Sequence, residues 1–240
     1  MDAKMAERMS ALTSAFYERM AQSFSNTREC PWPGWDVVER LLDTSDRNSL
    51  SLLDVACGNL RYERYLRAHV SKLDVWCCDN CMELVTSTGP LATGVHFHEC
   101  DIARLLMDSS DLGWDELPLC DRCVSFGFMH HLPLFRQRVH LLDLLVRKTK
   151  PQGFIVVTFW QFLRDARLRA KARPVEGAGE YDFLLGWQDV PDVWRFCHHA
   201  TDEEIDVLVE DVSALAEEVT RFSADGRDGD LNRYLVLRRI

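Results

Sequence analysis

No stretch of this 240-residue chain stays apolar long enough to cross a bilayer, and residues 1–20 carry charges throughout, with no apolar run of the signal type. Membrane insertion and secretion are therefore not expected, and the expected location is the cytoplasm. There is no internal repeat and no low-complexity tract, so the chain reads as one domain with length enough for a substantial core. Positive charge is in short supply. Lys and Arg total 28 against 38 Asp and Glu, a formal net charge of -10 that excludes a surface built uniformly for nucleic acid, and no DNA partner is expected. Cysteine is not scarce, with nine residues, but most lie in apolar runs of a chain without a secretory signal, so reduced thiols are expected. Cys78-x-x-Cys81 and Cys120-x-x-Cys123 have zinc-type spacing. The second pair falls inside an expected strand, where side chains three apart face opposite ways, and no metal is expected.

The chain is organised around Leu52-Leu53-Asp54-Val55-Ala56-Cys57-Gly58-Asn59-Leu60-Arg61. An apolar run ends in an acid, then a glycine turn, then a helical pattern over 61–68. Gly58 lets the backbone approach a ligand, and the following helix aims its free N–H groups at the same place, an arrangement suited to the polar end of a nucleoside cofactor. Three more apolar runs follow, each closing on polar groups: Leu73 to Cys78 on Asp79, placed for ribose hydroxyls; Val95 to Cys100 on Asp101 and Ile102, placed for the base; and Cys120 to Gly127 on Phe128-Met129-His130-His131. The dinucleotide fingerprint G-x-G-x-x-G is not matched, because Ala56, Gly58 and Leu60 leave one glycine where three are usual. That departure weakens a nicotinamide-dinucleotide reading most.

Leu52 to Arg61, Asp79, Asp101 and Phe126 to His131 resemble the successive motifs of class I S-adenosylmethionine (SAM) methyltransferases. The resemblance implies an α/β fold with a Rossmann-like, seven-stranded, mostly parallel sheet, an antiparallel C-terminal strand, helices on both faces and an N-terminal helical cap. Residues 1–45 are the expected cap, 50–161 the SAM-binding core, 162–210 a substrate-side helix and loop, and 211–240 a closing β-hairpin. The N-terminal segment is more particular. Phe16-Tyr17, Phe24-Ser25 and Thr27-Arg28 through Pro31-Trp32-Pro33 are similar to the cofactor-closing segment of the tRNA wobble-uridine carboxymethyl methyltransferases. Carried over, this implies that Tyr17, Arg28 and Trp32, with Asp54, Ala56, Cys57, Gly58, Asn59, Asp79, Asn80, Asp101, Ile102 and Phe126, hold SAM and its product S-adenosylhomocysteine. It also implies a tRNA substrate and a small activating protein partner.

Elsewhere the pattern predicts a helix over residues 2–24, another over 35–42, a polar loop over 43–49, irregular chain over 103–119 and a helix over 133–150. Pro151-Gln152-Gly153 is expected to break that helix before a strand at 154–160. A basic helix is expected over 161–174, a lid or substrate loop over 175–194, and a capped helix from Thr201. Residues 136–173 hold ten Lys or Arg against two Asp or Glu, either a band for a phosphate backbone or a solvated face. Arg164, Arg167 and Lys171, with His198 and His199 of the Arg-Phe-Cys-His-His segment, are the candidate substrate contacts. His130 and His131 are the candidate bases for a hydroxyl or amine acceptor, whereas a carboxylate acceptor needs none. A methyltransferase of a small metabolite and a catalytically silent SAM-fold partner subunit remain open alternatives.

Overall fold

The computed structural model describes residues 1–42, 49–108, 116–188 and 190–240. The expected loop at 43–49 and the middle of the stretch 103–119 lie largely outside those residues. The chain runs α1 (Ala3–Asn26), α2 (Pro33–Leu41), β1 (Ser49–Val55), α3 (Arg61–Leu66), β2 (Lys72–Asp79), α4 (Met82–Val85), β3 (Val95–Glu99), α5 (Ile102–Asp108), β4 (Cys120–Ser125), α6 (Phe135–Lys148) and β5 (Thr149–Trp160). It continues with α7 (Ala166–Lys171), β6 (Arg173–Pro174), β7 (Asp182–Gly186), β8 (Trp194–His198), α8 (Asp202–Val212), β9 (Ala216–Ala224) and β10 (Asn232–Arg239).

Seven strands form one sheet in the order β3-β2-β1-β4-β5-β10-β9, as the resemblance implied. Strands β1 to β5 pair in parallel, and β10 runs antiparallel to both β5 and β9. Leu52, Leu53 and Val55 are at most 1% exposed because both faces of the sheet are covered. On one face Leu53, Cys123 and Ile155 pack under Leu141 and Leu145 of α6 and Leu208 of α8. On the other, Leu52, Val75 and Val124 pack under Trp35 and Val38 of α2 and Leu66 of α3. Each such aliphatic side chain contributes roughly 1.5–3 kcal/mol by leaving water. Two buried hydrogen-bond groups pin α2. Arg122 Nη1 donates to Glu39 Oε1 at 2.5 Å and meets the Tyr62 hydroxyl at 2.6 Å. Asp225 accepts from Gly34 N and from the hydroxyl of Tyr234, whose ring presses so close that a Cβ on Gly34 would stand 2.3 Å from it.

Three expectations need correction. First, Pro151-Gln152-Gly153 does not precede β5 but lies within it as an irregularity, with Gln152 at φ 63° and a register shift opposite Cys120 and Arg122. Cys120 and Cys123 belong to the same core cluster. Second, the basic helix is confined to α7, its start capped by Asp165, and the chain is extended by Arg173. Third, residues 175–194 are not simply a loop: they contain β7, the middle strand of a second sheet, β6-β7-β8. That sheet docks on α1, where Phe196 N donates to Thr13 Oγ1 at 3.1 Å and Trp187 Nε1 to Ser23 Oγ at 3.0 Å. No helix among the described residues is long and apolar enough to cross a membrane.

Candidate functional site

Strand order reverses between β1 and β4, and the crevice beyond their C-terminal ends is where open α/β sheets bind ligands. The loop after β1 occupies it. Ala56, Gly58 and Leu60 take φ of 67°, 57° and 56°, all left-handed, so the backbone adopts the conformation usual for glycine although only one glycine is present. Ala56 N and Cys57 N both donate to Cys78 O, which fixes the bend. Asp79, at the end of β2, accepts from Gly58 N at 2.8 Å through Oδ2 and from Cys81 N at 3.0 Å through Oδ1. Burial raises its carboxyl above the ordinary range, and these N–H groups pull it back.

A narrow cavity opens here, and every residue expected to hold the cofactor lines it. The roof is α1: Ser14 Oγ accepts from Asn80 Nδ2 at 2.9 Å, and Ser25 Oγ from Asn59 Nδ2 at 3.0 Å. Ser10, Thr13, Trp35 and Tyr62 add to the wall from outside the motifs, and Arg61 and Gly127 from within them. Arg61 is stacked 5.1 Å from both Trp32 and Trp35, its Nε is buried without a partner, and burial lowers its pKa to about 10. Asp54 Oδ1 is also buried and unpartnered. Burial and the facing Glu63 hold the Asp54 carboxyl well above its usual range, and burial pushes Glu63 up to about 7.

Beside this cavity lies a wider cleft of about 1150 Å³, and Tyr17, Phe24, Arg28, Trp32, Arg61 and Gly127 line both. His130, Trp160, Lys171, Arg173, Trp187, Trp194 and Arg195 line the cleft alone. His131 belongs to the narrow cavity. Its Nδ1 donates to Phe196 O at 2.7 Å, which leaves Nε2 to accept from the Tyr17 hydroxyl at 2.8 Å. Burial, helped by the Arg195 charge, lowers His131 to about 3, and burial raises Tyr17 to about 12, so the pair is neutral. His130 is held well below the usual histidine range by burial, and its Nδ1 has no partner.

Ligand atoms of His130, His131 and Cys197 lie within 4.8 Å of one another. The set is poorly suited to a metal as it stands. Both His131 nitrogens are engaged, burial pushes the Cys197 thiol up to about 12, and the Arg195 cation acts on all three. Of the expected substrate contacts, Lys171 reaches the cleft. Arg164 and Arg167 instead pair with Asp202 and Asp165. His198 is held between Asp182 Oδ1 at 2.8 Å and Glu204 Oε2 at 2.6 Å, and His199 Nδ1 accepts from Leu163 N; neither lines cavity or cleft. Alternation along a strand turns Arg195 and Cys197 toward His130 and His131, and His198 away.

No family model matches the chain. It is 29% identical over 144 residues to a tRNA (carboxymethyluridine(34)-5-O)-methyltransferase of Arabidopsis thaliana, a match covering 60% of this chain and 31% of that protein. It is likewise 29% identical over 146 residues to the tRNA (carboxymethyluridine(34)-5-O)-methyltransferase ALKBH8 of Macaca fascicularis, covering 60% of this chain and 19% of that one. The chain thus spans a third or less of these curated relatives. Among solved structures, the CcbJ methyltransferase of Streptomyces caelestis superposes with a TM-score of 0.64 at 13% identity, over 95% of this chain and 98% of that one. DhpI in complex with S-adenosylhomocysteine (SAH) superposes at 0.59 and 15% identity, over 96% and 97%. The fold is that of the SAM-dependent methyltransferases.

Proposed function

We propose that this chain is a SAM-dependent methyltransferase whose acceptor is the carboxylate of a modified tRNA uridine, held in the wide cleft. The observation that carries the cofactor reading is the narrow cavity at the strand reversal, lined by the motif residues, where four side chains hold a buried polar atom without a partner: Ser10 Oγ, Trp35 Nε1, Asp54 Oδ1 and Arg61 Nε. Asp54 Oδ1 can accept from a ligand's ammonium, and Arg61 Nε can donate to its carboxylate. Asp79 keeps a free lone pair on each oxygen for ribose hydroxyls, Asp101 and Ile102 flank the base, and Arg28 and Arg61 hold the carboxylate end. When bound, SAM supplies an electrophilic methyl whose bond to sulfur breaks as a carbon–oxygen bond to the acceptor forms, the electron pair remaining on sulfur.

Tyr17, Trp32 and Phe126 exclude water from the junction and orient what meets there. The histidines bear on the choice of acceptor. The His131 Nε2 lone pair is occupied by Tyr17, which leaves it poorly placed to take a proton from a hydroxyl or amine. A carboxylate has no proton to lose. The similarity to the carboxymethyluridine enzymes supports tRNA, and with it a cytoplasmic location. A small metabolite is the second reading, favoured by the net charge of -10, which opposes a polyanionic acceptor.

The test is transfer of labelled methyl from SAM to cell extract, scored separately in tRNA, protein and small molecules. Label in tRNA, lost on mild alkaline hydrolysis as an ester is, is the expected result. Label only among small molecules would sink the tRNA substrate and leave the methyltransferase standing.

A further inference from the structure

Three arginines of the described chain are more than nine-tenths buried. Arg122 pairs with Glu39 at 2.5 Å and Arg138 with Glu204 at 2.6 Å. Arg195, 6% exposed, has no carboxylate partner among the described residues, and its Nη1 is buried without a hydrogen bond. Its guanidinium carbon stands 4.6 Å from the Phe16 ring centre, 5.5 Å from Trp160 and 5.6 Å from Trp187. Aromatic faces attract a cation, but they replace only part of the hydration a buried guanidinium has lost. A second cation adds to the imbalance. Arg28 stands 5.7 Å from the same Trp187 ring, and among the described residues its guanidinium hydrogen bonds go to its neighbour Thr27. In the loaded protein Arg28 is matched by the cofactor carboxylate assigned to it above, which leaves Arg195, at the wall of a cleft wide enough for a nucleoside, as the cation that a ligand in the cleft can neutralise.

We propose that Arg195 is the residue that selects the acceptor, recognising its carboxylate from within the Phe16, Trp160 and Trp187 box. This deepens the methyltransferase reading, yet the anion site itself can be tested without methyl transfer. Methylation converts the carboxylate into an uncharged ester, so the contact with Arg195 is stronger before reaction than during it. Arg195 accordingly contributes to binding and to selection rather than to lowering the barrier, and the ester product leaves more readily than the acid.

The probes are phenylacetate and its uncharged amide, phenylacetamide, titrated by tryptophan fluorescence into the SAH-loaded protein. Anticodon stem-loop RNAs bearing 5-carboxymethyluridine or the matching amide are titrated in parallel. The wild type should prefer each acid over its amide. Arg195→Gln should weaken the acids by roughly tenfold to a hundredfold, the range for charge-assisted hydrogen bonds, and leave the amides and the SAH affinity within twofold. Arg195→Lys should retain part of the preference. In turnover, Arg195→Gln should raise KM by the same factor with kcat changed less than about threefold.

A wild type with no preference for the acids, or an Arg195→Gln protein that loses acid and amide alike, overturns the proposal and makes Arg195 a structural member of its box. A preference for phenylacetate that depends on Arg195, with the RNAs refused, keeps the anion site and sinks the tRNA substrate. Methylation of tRNA by a protein without any acid preference does the reverse.

Discussion

Left-handed backbone costs an L-residue about 1 kcal/mol, and Ala56 and Leu60 both carry it at the lip of the narrow cavity. Leu60 offsets the cost by burying its side chain among Tyr62, Tyr65 and Leu66, and Ala56 is held by the bond from its N–H to Cys78 O. The missing glycines therefore weaken a motif count without altering the shape the motif encodes. Asp79 is the residue on which that shape depends. Asp79→Ala should raise the SAM dissociation constant at least tenfold, by losing both ribose contacts and the hold on Gly58. Unchanged affinity in a direct titration would place the ribose elsewhere.

Glu63 is a second residue with a measurable signature. Its pKa rises from 4.5 to about 7, so over that window the unfolded chain ionises while the fold keeps its proton. Its contribution is full below about pH 4.5, falls as pH rises and is gone above 7. In urea unfolding, Glu63→Gln should shrink the stability difference between pH 5 and pH 8 by on the order of 2 kcal/mol. An undiminished difference would assign the effect to other groups. Neither the facing of Asp54 and Glu63 nor the lone cation of Arg195 was legible in sequence, because both depend on which burial partners are absent.

The elements were legible where a run of apolar residues ended on a polar one, as at Asp54, Asp79 and Asp101, and the parallel sheet follows from those repeats. The small sheet β6-β7-β8 was not, because β6 is two residues long and the Gly, Asp and aromatic content of 175–194 is also that of a loop. Its attachment lies in side chains remote in sequence. His198 bridges Asp182 of β7 and Glu204 of α8, and Glu204 also accepts from Arg138 of α6. His198→Ala leaves the buried Asp182 and the partly buried Glu204 each short of a partner and should cost about 3 kcal/mol, read as a fall in thermal midpoint. A wild-type midpoint would mean that the bonds to Thr13 and Ser23 suffice to hold this sheet.

Over the whole molecule, the acidic total and the basic stretch 136–173 are reconciled by position. Arg138, Arg147, Lys150, Arg164 and Arg167 are spent on ion pairs within the chain, and Lys171 and Arg173 are the members that line the cleft. Lys171→Glu with Arg173→Glu should lower tRNA affinity at least tenfold and reduce the slope of log affinity against log salt by about 2, with SAM affinity unchanged. Full retention of tRNA would remove these two side chains from the interface. The sequence could rank the charge run but not divide it, since pairing partners such as Glu204 lie outside it.

Tyr17, Phe24, Arg28, Trp32, Arg61 and Gly127 belong to the walls of both the narrow cavity and the cleft. On the reading proposed above, a donor and an acceptor seated together would touch along these six residues, and each would close the other's open side to water.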